Sequence, residues 1–119
     1  MAEGGGAVVH LGSIAADRGA GAYGAAKAAI GSWNVDLARE LGGRDITSNV
    51  VSPGYVGDTE FFRDTLTDRR RTTLIGQTAT GRAGTPEDIA GVVEFLASPA
   101  ARHVTGQVIN VNGGAWPTR

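Results

Sequence analysis

Hydrophobic positions along the chain fall into three short apolar runs separated by segments of helical periodicity. Residues 7–11 (AVVHL) form a run bounded by glycines, which is typical of a strand buried on both faces. Residues 46–52 (ITSNVVS) are β-prone and end at a Pro-Gly pair, and residues 107–111 (QVINV) are followed by Asn-Gly-Gly. The pattern therefore predicts three strands.

The segments between these runs predict helices. Apolar residues recur at steps of three and four over about residues 22–41: Ala22, Ala26, Ala29, Ile30, Trp33, Leu37 and Leu41. Trp33 on this face is expected in the core. A second helical segment covers about residues 60–77, where Arg69, Arg70 and Arg71 near acidic residues are interpreted as a solvated face. Thr85 followed by Pro86 then predicts the start of a third helix.

The resulting order, β-α-β-α-α-β, defines an α/β fold class. Strands joined by helical crossovers pair in parallel with right-handed connections. With 119 residues the chain is expected to form one domain or part of one.

Composition narrows the possible functions. Eleven Lys and Arg against twelve Asp and Glu give a formal net charge of −1, which argues against nucleic-acid or anionic-membrane partners. The sequence has no cysteine, so disulfides, thiolate zinc sites and a cysteine nucleophile are excluded. No apolar run reaches membrane-spanning length and no signal peptide is evident, so a cytoplasmic protein is expected. His10 and His103 are isolated histidines, and no metal site is predicted.

Tyr23 and Lys27 form the pair with the clearest chemical meaning. They are four residues apart at the start of a predicted helix, so their side chains share one helix face. A phenol has a reference pKa of about 10, and a neighbouring ammonium stabilises its anion, which makes it useful as an acid or base. Ser13 follows the first strand, and ligands of open α/β sheets bind at the carboxyl ends of strands. Ser13 is therefore a candidate to hydrogen-bond a substrate oxygen.

Five motifs in sequence order give this chain a wider resemblance. They are Gly12-Ser13 after a strand, YGAAKAA at residues 23–29, NVVSPG at residues 49–54, GRAGTPEDIA at residues 81–90 and TGQVINVNGG at residues 105–114. Together they resemble the landmarks of the classical short-chain dehydrogenases/reductases, over nearly the whole chain. The resemblance implies a Rossmann-like, doubly wound parallel sheet.

The resemblance also implies a reaction, NAD(P)-dependent hydride transfer between an alcohol and a carbonyl. In this interpretation Ser13, Tyr23 and Lys27 are catalytic, with Tyr23 and Lys27 also contacting the cofactor. The remaining cofactor-binding residues implied are Pro53, Gly54, Val56 and Thr59. The cofactor is NAD or NADP, and the substrate is a small carbonyl compound or alcohol. The family's dimer contacts further imply a homo-oligomer formed through the helix that follows Tyr23.

Compared with the family, residues 1–119 are expected to be the C-terminal part of the domain, without the N-terminal dinucleotide-binding half. Gly4, Gly5 and Gly6 precede a strand, so they are not the phosphate-binding glycine loop, which must lie between a strand and a helix. Without the first half, the strand at residues 7–11 becomes a sheet edge. Two rival interpretations stay open: a non-catalytic dimerisation or interaction module derived from the family, and an unrelated small α/β binding domain.

Overall fold

The computed structural model describes residues 5–57 and 67–118. Its elements, in chain order, are β1 (Gly6–Leu11), α1 (Ala15–Arg18), α2 (Gly21–Leu41), β2 (Ile46–Pro53), α3 (Asp68–Gly76), α4 (Pro86–Ala97) and β3 (Val108–Val111). Short 3-10 turns at Gly42–Arg44 and Pro99–Ala101 follow α2 and α4. The predicted helix over residues 60–77 is described only from Asp68, and its first part lies outside the described residues.

The three strands form one parallel sheet in the order β1-β2-β3. The β1 pairing runs from Gly6 opposite Ile46 to Leu11 opposite Val51, and β3 pairs from Val108 opposite Val50 to Val111 opposite Pro53. Helices connect each strand to the next, as parallel pairing requires. The predicted α/β class and parallel sheet are confirmed.

One face of the sheet carries the apolar core. Val51 on β2 is fully buried and clusters with Leu96 of α4 and Ala101 of the turn that follows. Partly buried apolar side chains from β1, β3, α4 and the segment before β3 pack around this cluster: Val9, Ile89, Val92, Val93, Val104, Ile109 and Val111. The α4 residues of this core, Ile89, Val92, Val93 and Leu96, recur at steps of three and four and so lie on one helix face.

The opposite face of the sheet is covered by α2, which packs through a face that the apolar pattern did not predict. Its buried residues are Gly24, Asn34 and Ala38. Asn34 Oδ1 accepts a hydrogen bond of 2.7 Å from the buried Ser48 hydroxyl of β2. The expectation that Trp33 lies in the core is wrong, since its side chain is 56% exposed. Small residues and one satisfied polar pair let the helix approach the strand closely, which turns the bulkier apolar face outward.

The first strand also differs from its prediction. Residues 7–10 are only half-buried, whereas the apolar run predicted burial on both faces. Within the described residues β1 is an edge of the sheet, paired with β2 alone, so its faces are covered less completely than those of β2. The four-residue helix α1 was not predicted, because its Gly- and Ala-rich surroundings resemble a loop.

Among the residues that the structure describes, no helix combines the length and the apolar character needed to cross a bilayer.

The start of α4 is held by a capping box. The Thr85 hydroxyl accepts from the Asp88 backbone N–H at 3.2 Å, and the Asp88 carboxylate accepts from the Thr85 N–H at 2.9 Å. Arg82 adds two contacts to the same carboxylate, at 2.8 and 3.3 Å. The Arg82 guanidinium, followed by the Thr85 N–H, lowers the pKa of Asp88 from 3.8 to about 2.

Asp88→Asn is expected to lower stability in a pH-dependent way. Because the folded pKa lies below the unfolded value, the carboxylate stabilises the fold above about pH 4, and this contribution is lost as pH falls toward 2. Urea unfolding of the wild type and of Asp88→Asn is measured at pH 7, 4 and 3. The difference between their free energies of unfolding should be smallest at pH 3. Glu87→Gln removes the same charge from the same turn and serves as the control. A difference independent of pH would contradict the assignment.

Candidate active site

Ser13 is positioned by backbone hydrogen bonds on both sides. The Gly12 N–H donates to the Val51 carbonyl at 2.7 Å, and the Ile14 N–H donates to the Pro53 carbonyl at 2.9 Å. The β1 chain thus stays attached to β2 past its last paired residue. The Ser13 Oγ accepts from the Ala15 N–H at 3.1 Å, so its own proton remains to be donated.

Tyr23 and Lys27 lie in the first two turns of α2, one turn apart. The Lys27 Nζ lies 5.8 Å from the centroid of the Tyr23 ring. The same Nζ donates to the carbonyl of Leu11, the last residue of β1, at 3.4 Å. Tyr23 is half exposed. The ammonium is therefore held between the end of β1 and the phenol.

A cavity of about 710 Å³ lies at the carboxyl ends of β1 and β2. Five sequence-predicted site residues line it: Ser13, Tyr23, Pro53, Gly54 and Val56. Lys27 lines a smaller cavity of about 170 Å³ instead, which shares Gly12 and Ser13 with the larger one. Thr59 lies outside the described residues.

The loop that follows β2 forms one wall of the cavity. Gly54 donates its N–H to the Val111 carbonyl at 3.1 Å. A Cβ at Gly54 would lie 2.7 Å from the Cβ of Asn112, so the loop and the end of β3 approach closely only because this residue is glycine. Further on, Gly84 anchors the loop from the α4 side, exchanging backbone hydrogen bonds of 3.0 Å with Tyr55 and Gly57.

Five polar residues of the cavity wall were not predicted as site residues: Arg18, Tyr55, Arg70, Gln77 and Thr78. Arg18 of α1 donates to the Gln77 side chain at 2.9 Å, and both residues line the cavity together with Arg70. The interpretation of the arginine run as a solvated face agrees with the exposure of Arg70 and Arg71. Arg70 in addition lines the cavity, whereas Arg71 pairs with Asp68 at 3.2 Å. The spacing of Arg70, Leu74 and Gln77 on α3 was the available signal, since it places all three on one helix face.

Within residues 5–57 and 67–118, no group of three or more His, Cys, Asp or Glu side chains is placed to hold a metal ion. The large cavity is lined by the Ser13 hydroxyl, the phenols of Tyr23 and Tyr55 and the guanidinium groups of Arg18 and Arg70, and the Lys27 ammonium lines the smaller one.

Comparison with known proteins decides which family this arrangement represents. A family model described as Enoyl-(Acyl carrier protein) reductase matches residues 1–115. The 3-oxoacyl-[acyl-carrier-protein] reductase FabG of Pseudomonas aeruginosa is 45% identical over 114 residues. This chain belongs to the short-chain dehydrogenase/reductase family.

Solved structures agree with that assignment. The short-chain dehydrogenase/reductase (glucose/ribitol dehydrogenase) from Brucella melitensis matches with a TM-score of 0.86 and 42% identity, over 94% of this chain and 46% of that one. A blue fluorescent protein from a metagenomic library, solved in complex with NADPH, matches with a TM-score of 0.85 and 38% identity, over 98% and 47%. The match to FabG covers 93% of this chain and 45% of FabG. This short-chain dehydrogenase/reductase chain therefore spans about half the length of the relatives it matches.

Gly54→Ala is expected to destabilise the protein by about 1–3 kcal/mol, because the new Cβ would overlap Asn112 and force the loop away from β3. Gly91→Ala is the matched control: this glycine lies inside α4 with nothing within 4 Å of a new Cβ, so alanine should be neutral or stabilising by about 0.5–1 kcal/mol. Thermal unfolding of the three proteins measures both effects. Equal behaviour of the two variants would refute the close-approach argument.

Proposed function

We propose that this chain carries the acid/base part of an NAD(P)-dependent oxidoreductase that interconverts an alcohol and a carbonyl. The observation that carries the proposal is the placement of Ser13 and Tyr23 on one cavity at the strand ends, with the Lys27 ammonium 5.8 Å from the phenol ring. Family membership supports the same chemistry. The relatives named above include a reductase, a dehydrogenase and an NADPH complex.

The cavity fits a nicotinamide ring. A volume of about 710 Å³ lies within the range of small-molecule sites. Pro53, Gly54 and Val56 supply a wall of closely packed backbone at the end of β2, with Tyr23 on the same cavity and Lys27 on the smaller one. Thr59 is proposed to join them. A nicotinamide dinucleotide, when bound, supplies or accepts the hydride.

The residues of this chain handle the proton and the substrate oxygen. In the reduction, the Ser13 hydroxyl donates a hydrogen bond to the carbonyl oxygen, which orients the carbonyl. Tyr23 transfers its phenolic proton to that oxygen as hydride reaches the carbonyl carbon, so the product is a neutral alcohol and Tyr23 becomes a phenolate. The Lys27 ammonium stabilises this negative charge, and its bond to the Leu11 carbonyl keeps it in place. The oxidation follows the same steps in reverse.

Residues 1–119 are proposed to be the C-terminal part of the family's domain. The cavity holds the acid/base residues, while the described strands include no strand-loop-helix unit with the glycine spacing that binds a pyrophosphate. The remaining contacts of the dinucleotide are therefore assigned to a part of the fold beyond these elements.

A second candidate function, a dimerisation module, is favoured by the outer face of α2. Its exposed residues include Ala22, Ala26, Ala29 and Trp33, which form one apolar stripe. Such a stripe of small side chains around one aromatic suits close packing against a second copy of α2. We propose a homo-oligomer formed through this helix, with or without catalysis.

Tyr23→Phe is expected to lower kcat about 10²–10⁴-fold, because it removes the transferred proton and almost no packing. The measurement is NADPH oxidation by the full chain with a panel of small ketones. Tyr55→Phe removes the other phenolic hydroxyl of the cavity and should lower kcat far less. A Tyr23→Phe protein that keeps wild-type kcat would refute the mechanism.

Ala29→Glu is expected to shift the protein toward the monomer, because each copy would bring a carboxylate into the apolar contact. Sedimentation equilibrium compares its mass with the wild type and with Ala90→Glu, which places the same charge on an exposed position of α4. A monomeric wild type, or an equal effect of both substitutions, would contradict association through α2.

A further inference from the structure

The lining of the large cavity is mostly apolar but includes two charged side chains. Most of the lining is apolar, including Leu11, Ile14, Leu74 and Ala115. Its ionised groups among the described residues are two arginines, Arg18 and Arg70, and no Asp or Glu of those residues lines it. In a chain whose formal net charge is −1, this cavity wall is locally positive.

The two arginines come from different elements that meet at the cavity. Arg70, Leu74 and Gln77 follow one face of α3 at steps of four and three, and all three line the cavity. Arg18 ends α1, the short helix that begins two residues after Ser13. Its Nη2 donates to the Gln77 Oε1 at 2.9 Å, which ties α1 to the end of α3.

This contact holds the Arg18 guanidinium without neutralising it. Gln77 is uncharged, and one of the five guanidinium N–H groups suffices for the bond. The neighbouring Arg71, in contrast, is paired with Asp68 and does not line the cavity. Planar guanidinium groups recognise carboxylates through paired hydrogen bonds.

We propose that the substrate of this chain is a carbonyl compound with an apolar body and a carboxylate, and that Arg18 and Arg70 select the carboxylate. Gln77 is a positioning residue that aims Arg18 into the cavity. The inference rests on the proposed function for the identity of the reacting carbonyl. It extends that proposal to the charge of the rest of the substrate, because Ser13 and Tyr23 are proposed to contact only the reacting oxygen.

The test measures binding separately from turnover. The probes are methyl-ketone acids from 4-oxopentanoate to 7-oxooctanoate and their methyl esters, titrated into the full chain by ligand-observed NMR. The wild type is expected to bind the best acid at least about fivefold more tightly than its ester. Arg18→Gln and Arg70→Gln should each reduce this preference while leaving ester affinity unchanged. Gln77→Leu should reduce it less than Arg18→Gln.

Arg71→Gln is the matched control, because it removes the same charge from the adjacent position of α3, outside the cavity. Equal affinity for acid and ester in the wild type would overturn the inference, as would an equal loss of preference in Arg70→Gln and Arg71→Gln. Inorganic pyrophosphate and acetate are also compared as competitors of the bound acid. If pyrophosphate displaces the acid at a far lower concentration than acetate does, the arginines are assigned to a phosphate group and the inference is overturned.

Turnover of the same probes distinguishes failure of the inference from failure of the proposed function. Reduction of acids and esters with equal kcat/KM would keep the oxidoreductase proposal and overturn the carboxylate selectivity. Acid-selective binding that depends on Arg18 and Arg70, in a protein whose Tyr23→Phe variant keeps the wild-type kcat, would support the anion site and contradict the oxidoreductase proposal.

Discussion

The fold and the candidate active site depend on the burial of β2 between two helices and two strands. Residues 46–52 are all buried, with Val51 facing α4 and Ser48 bonded to α2. The buried Asn49 of this strand also has partners: its side chain donates to the Val104 carbonyl at 2.8 Å and accepts from the Gln107 N–H at 3.1 Å. Such satisfied groups set the register of a strand, because any shift would leave them buried and unpaired. The ends of β1 and β3 are aligned on this strand.

The site inherits its geometry from that alignment. Ser13 is held by backbone bonds that continue the β1–β2 pairing, and Gly54 is held against the end of β3. Tyr23 and Lys27 are added from α2, where helix periodicity places them one turn apart, and Lys27 is tied back to β1 through the Leu11 carbonyl. Backbone contacts therefore position the groups, and only a few side chains carry chemistry. This division suits a family whose members act on different substrates, since the wall formed by α1 and α3 can change without moving the residues proposed for acid/base chemistry.

The two faces of α2 show that apolar character alone does not decide which side of a helix is buried. Position 24 has no room for a side chain, because a Cβ on Gly24 would lie 2.7 Å from the Ala15 carbonyl oxygen. Asn34 is fully buried, with Ser48 as its partner. Trp33, although larger and more apolar, remains exposed, and its ring centroid lies 5.3 Å from that of His10. Close approach of helix and strand favours small side chains, and the apolar stripe left outside is the surface assigned to a second copy.

The sequence by itself determined the strands, the long helices, the Thr85 cap and the Tyr23-Lys27 spacing, because all of these follow from local periodicity and capping chemistry. It also indicated Ser13, because this residue follows the first strand at the end where an α/β sheet binds ligands, whereas Pro53 and Gly54 were indicated only by the resemblance to the family. Only the tertiary structure decided the buried face of α2, the half-burial of β1 and the cavity position of Arg18 and Arg70. These features arise from contacts between residues far apart in the chain, such as Arg18 with Gln77 and Asn34 with Ser48, which no local pattern encodes.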